Sequence, residues 1–115
     1  MTDRANSTTM ASESEARAVE DRLQRELDLG HHHELVPDLI SAVESQPLRE
    51  RRWALLMLAL YRNGRQIEAV QTYERLRSLL ANDYGLEPSV EIKDLERAMV
   101  LQRSELDWTS PSAPN

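Results

Sequence analysis

Two glycines 34 residues apart, Gly30 and Gly64, set the frame for this chain. The same offset carries Val19 onto Trp53, Leu23 onto Met57, Glu34 onto Glu68, Val36 onto Val70 and Leu39 onto Tyr73. A fixed period of this length marks stacked supersecondary units, each burying its apolar face only against its neighbours. Within the units the apolar spacing is helical. Ala16, Val19, Leu23 and Leu27 recur at steps of three and four, which places them on one helix face. A glycine follows the first and third helical runs, where a left-handed residue ends a helix at little cost.

This spacing predicts helices over 13–29, 34–45, 48–62, 66–82 and 89–106. Pro37 is tolerable only in a first turn, where its missing N–H loses no intrahelical partner. The third helix is apolar nearly all round over 53–61 and is expected to lie centrally. The fourth presents Ile67, Val70, Tyr73, Leu76 and Leu80, and the fifth Ile92, Leu95, Met99 and Leu106. The connections are short, so neighbours should be antiparallel. A 34-residue period is the tetratricopeptide length. Trp53, Leu56, Gly64, Ala69 and Tyr73 fall in the places of that motif's Trp, Leu, turn residue, small residue and aromatic, and Pro47 in the place of the Pro that closes the preceding unit. The expected fold is all-α: about five helices in tetratricopeptide-like antiparallel hairpins, with a degenerate first unit and a fifth helix that caps the array. Residues 1–12 and 109–115, poor in large apolar side chains, are expected as a disordered lead and tail around a domain at 13–108.

Composition narrows the function. With no Phe and only 4 % aromatics, the core is built from aliphatic side chains. The absence of Cys removes disulfides and thiolate metal sites. No apolar run is long enough to cross a bilayer, so the expectation is a cytoplasmic chain with no membrane contact. The formal charge is −6, from 20 acidic and 14 basic residues, the wrong sign for a chain that grips DNA by itself.

Several short runs occur together: RLQRELDLG at 22–30, His32, ELVP at 34–37, PLRE at 47–50, LMLALYRNGR at 56–65, Glu68 with Ala69, YGLEP at 84–88, and Leu95 with Glu96. In this order and spacing they resemble the bacterial transcriptional activator domain of antibiotic-regulatory-type transcription regulators. The resemblance spans about 16–106. It implies an all-helical, tetratricopeptide-like domain that usually follows a winged-helix DNA-binding domain and supports activation through protein contacts. The implied partner is a protein, either a second copy in a homodimer or a transcription component. The chain departs from that pattern by showing no winged-helix sequence and by matching only the later part of the family domain.

Three groups of residues invite a chemical role. His31, His32 and His33 with Glu34 suggest a zinc site and a small metal-binding enzyme, but consecutive His cannot easily face one ion, and the i, i+4 spacing of helical zinc sites is missing. The favoured reading is a solvated turn, with no catalytic, cofactor or metal residues. Arg49, Arg51 and Arg52, with Arg62 and Arg65, form the densest basic group; it suits a carboxylate or a phosphate backbone, and ordinary pairing with nearby acids is the plainer reading. Trp53 and Tyr61 would serve as anchors, though Trp53 is expected in the core. If the units carry a groove, the first helix of each pair lines it. That assigns Arg51, Ala54, Leu58, Tyr61 and Arg62 from one unit and Arg17, Glu20, Gln24 and Leu27 from the other. Such a face suits an acidic peptide with an apolar anchor.

Overall fold

The protein is described by a computed structural model covering residues 2–110, with backbone alone for 2–11. The helices are α1 (Thr2–Asp28), α2 (Val36–Ser45), α3 (Glu50–Arg62), α4 (Gln66–Tyr84) and α5 (Val90–Val100), followed by a 3-10 turn at Ser104–Leu106. The expected end of the tail, Pro111 onward, lies outside the described residues, as does Met1. Gly30, Gly64 and Gly85 have φ of 91°, 76° and 65°, so α1, α3 and α4 stop at left-handed glycines, those of α1 and α3 as expected, while α2 ends on Gln46 at φ −143°. Pro37 sits in the first turn of α2.

α3 packs against all four other helices. Trp53, Leu55, Leu56, Met57, Ala59 and Leu60 are buried along it, which is why its apolar surface runs nearly all round. The Trp53 indole donates to the Pro47 carbonyl (2.8 Å), and the Arg75 guanidinium lies 5.5 Å from its ring centre. Trp53 is therefore core, with its polar atom satisfied. Ala69 is fully buried; its small side chain lets α4 cross α3 closely.

Four local expectations are corrected. α1 begins at Thr2 rather than near Glu13: residues 2–12 are rich in Ser and Thr but contain neither Gly nor Pro, so nothing in them breaks a helix. Its buried stripe is Ala16, Glu20, Leu23 and Leu27, and Val19 is only partly covered. On α4 the stripe is Ala69, Thr72, Tyr73, Leu76 and Leu80, while Ile67 is 75 % exposed. α5 stops at Val100 instead of running to 106. Gln102 adopts φ 53°, and the amides of Arg103 and Gln102 bond the carbonyls of Ala98 and Met99. This is a Schellman stop, built here without glycine. Leu106 then reaches the core from the 3-10 turn rather than from the helix.

Candidate protein-interaction face

α1, α3 and α5 are the first helices of successive pairs. α1 lies against α3 and α3 against α5, while α2 and α4 also flank α3. Asp21 and Glu20 of α1 meet the start of α3, Asn63 at the end of α3 bonds the His32 carbonyl just after α1, and Glu50 meets Ser89 at the start of α5, so the three run in the same direction.

The expected groove residues are not equally available. Arg51 is exposed; Ala54, Leu58, Tyr61 and Arg62 are half-buried. Leu58 and Tyr61 rest on the core. On α1, Arg17 is exposed beside Glu13 (3.4 Å), and Gln24 donates to Asp28 (3.1 Å). Glu20 and Leu27 are buried, at 2 % and 0 % exposure, and belong to the interior. Between the starts of α3 and α5 the groove stays open, lined by Glu50, Arg51, Ala54, Ser89, Glu91 and Ile92. Glu50 holds its two walls together: its carboxylate accepts from the Ser89 amide (3.0 Å) and hydroxyl (2.5 Å).

The basic group is largely taken up by structure. Arg49 makes two hydrogen bonds to Glu20 and one to Glu13 (2.8 Å). Arg52 donates to Glu20 and to the Ala42 carbonyl, both at 2.8 Å. Hydrogen bonding from Arg49 holds the Glu20 carboxyl below its ordinary range, against the opposing effect of burial and with further help from Arg52. Arg62 donates to the Leu106 carbonyl (2.9 Å), and its burial lowers its pKa although Asp28 and Asp107 lie near. Arg65 pairs with Glu68. Arg51 pairs with Asp21 (2.8 Å), with both side chains open to solvent. In contrast to that open contact, Glu20 and Arg52 are buried within the domain.

The histidines diverge. His31 is bonded to Glu26 (2.7 Å), which raises its pKa. The His32 ring faces Trp108 at 6.1 Å. Among the described residues no group of three His, Asp or Glu side chains is placed to hold a metal.

The pairing of Glu20 with Arg49 and Arg52, and the docking of Trp108, were missed in the sequence. For Glu20 a signal existed: it stands four residues after Ala16 and three before Leu23, on the buried stripe, so it needed a cationic partner.

A family model described as the bacterial transcriptional activator domain matches residues 3–100. The chain belongs to that family. Regulatory protein DnrI of Streptomyces peucetius is 34 % identical over 89 % of this chain and 38 % of its own length. Regulatory protein AfsR of Streptomyces griseus is 40 % identical over 88 % of this chain and 10 % of its own. The structure of Mycobacterium tuberculosis EmbR in complex with a low-affinity phosphopeptide matches with TM-score 0.79 and 26 % identity, covering 82 % of this chain and 25 % of that one. The chain thus spans 38 % or less of each of these proteins. The resemblance read from the short sequence runs and the all-helical architecture both hold. Among the described residues no helix is long and apolar enough to cross a membrane.

Proposed function

We propose that this chain is a non-enzymatic protein-interaction module of a transcription regulator, and that it engages its partner through the face formed by α1, α3 and α5. The observation that carries this reading is the open stretch between α3 and α5. Solvent-exposed Arg51 stands there beside half-buried Ala54, with buried Ile92 of α5 on the apolar floor. An arginine whose surface contact is readily exchanged offers a forked donor to a carboxylate, and the floor accepts an apolar anchor. The partner is a protein, either a second copy or a component of the transcription apparatus. Membership in a family whose relatives are regulatory proteins supports a role without catalysis. So does the use of Arg49, Arg52, Arg62 and His31 in internal contacts. The phosphopeptide belongs to the EmbR structure, of which the match covers a quarter, and it assigns no ligand to this face.

A photo-crosslinking residue placed at Arg51 in the chain expressed in its source cells tests the reading, with the same residue at Ser78 of α4 as control. Protein adducts from position 51 and none from 78 are expected. Equal adducts, or adducts from 78 alone, would place the interaction surface elsewhere.

A further inference from the structure

After the Schellman stop the chain does not leave the domain. Residues 103–108 run from the end of α5 past the end of α3 to the end of α1, crossing the C-terminal ends of all three helices of the proposed face. Three anchors hold them. Arg62 donates to the Leu106 carbonyl (2.9 Å), and the Leu106 side chain rests on the core. The Trp108 indole N–H donates to the Asp28 carbonyl (2.9 Å), one of the acceptors that a helix end leaves open. The indole ring lies directly over Gly30, so close that a Cβ there would come within 2.5 Å of it, and it faces the His32 ring.

We infer that this socket, formed by Asp28, Gly30, His32 and Arg62, is a binding site for a segment of a protein partner that carries leucine and tryptophan two positions apart. Residues 103–108 occupy it in cis until such a segment displaces them. The socket holds the segment by one main-chain carbonyl, that of Leu106 taken by Arg62, and by two side chains, Leu106 against the core and Trp108 on the Asp28 carbonyl. The outer side of the segment is open to solvent: Arg103, Ser104, Glu105 and Asp107 are exposed. The turn that sends it back depends on Gln102 in a left-handed conformation that side chains other than glycine resist. Asp107 lies near Arg62, which also senses Asp28, so an acidic residue between the two anchors suits the site. The socket is continuous with the α1–α3–α5 face, and the inference rests on the proposed role of that face. Their tests are independent: crosslinking at Arg51 reports on the open groove, peptide binding on the socket.

An internal occupant lowers apparent affinity by the fraction of time the socket is empty. If the segment is seated nine-tenths of the time, an outside peptide binds about tenfold more weakly than to an emptied socket. The probe is a fluorescent peptide of residues 102–110, titrated by anisotropy into the wild-type chain and into Trp108→Ala. Binding to Trp108→Ala about tenfold tighter than to wild type, and lost when alanine replaces the peptide's tryptophan, is expected. Leu106→Ala, which loosens the segment without emptying the ring site, should move affinity the same way by less. Equal affinity for wild type and Trp108→Ala, no binding to either variant, or loss of helical circular dichroism in both variants would overturn the proposal. The last result would make the segment a fixed brace.

Discussion

Replacing Glu20 with alanine should cost the domain about 3–5 kcal/mol, the usual penalty for leaving one partner of a buried ion pair without the other. The Glu20 carboxylate is 2 % exposed and accepts from Arg49 (2.9 Å through one terminal nitrogen, with a second bond from Nε) and from Arg52 (2.8 Å). Its removal leaves the Arg52 side chain, 4 % exposed, with only the Ala42 carbonyl as acceptor. A hydrogen bond to a charged group contributes roughly 1.5–3 kcal/mol, so losing Arg52's bond alone accounts for about half of the expected total. The less buried Arg49 can rehydrate. Small domains are stable by about 5–15 kcal/mol, so the variant should be near its unfolding threshold. Arg51→Ala breaks an exposed pair and should cost under about 1 kcal/mol. Urea unfolding followed by circular dichroism measures both. A Glu20→Ala loss below about 1 kcal/mol, or one equal to that of Arg51→Ala, would refute the assignment of this cluster as the tie between α1 and α3. The acid side gives a second reading. The folded carboxyl titrates below its ordinary 4.5, so its contribution is fully present above that value and fades as pH falls through the folded pKa. Wild-type stability should drop on acidification below 4.5, and Glu20→Gln should flatten that part of the curve.

Leu56→Ala, at a 2 % exposed site on the central helix, should lose about 2–5 kcal/mol in the same assay; a loss under about 1 kcal/mol would remove Leu56 from the core. Gly30→Ala meets both a φ of 91° and the Trp108 ring, so it should lower the melting temperature and release Trp108, read as a change in indole fluorescence; an unchanged spectrum would contradict the docking. His31 should titrate by NMR above its ordinary 6.5 because of Glu26, and Glu26→Gln should return it toward 6.5; no movement would exclude that contact in solution. With Arg49, Arg51, Arg52 and Arg65 engaged by carboxylates and its net charge at −6, the chain should give no mobility shift with duplex DNA at physiological salt; sub-micromolar binding would reverse that reading.

The parts of the fold that were legible in the sequence are those where one residue type has one physical solution. The three glycines each mark a left-handed stop, Pro37 fixes a first turn, and the apolar run over 53–61 becomes the helix that touches every other. Trp53, Leu56, Ala69 and Tyr73 are buried as the repeat register requires. What was not legible depended on tertiary partners. The stripe marks Glu20 as buried, but its partners were not legible because the two arginines are 29 and 32 residues away. Arg62 looked like an open groove residue, but a carbonyl from a segment expected to be helix covers it. α5 was given six residues too many because its stop uses glutamine, which carries no stop signal. Of the groove residues, Arg17 and Arg51 are the ones whose exposure matches their expected use.

The bond from Trp108 to Asp28 joins residues 80 positions apart, and its consequence concerns how the domain comes apart. A repeat array whose units touch only their neighbours behaves as a one-dimensional chain of couplings and frays from its ends. Here the last segment is fastened to the first helix, and the line of couplings becomes a loop. Hydrogen exchange in α1 and α5 should therefore rise and fall together while the loop is closed, as one cooperative unit. Whatever lifts Trp108 from Gly30 cuts the loop, and the two ends regain separate lives.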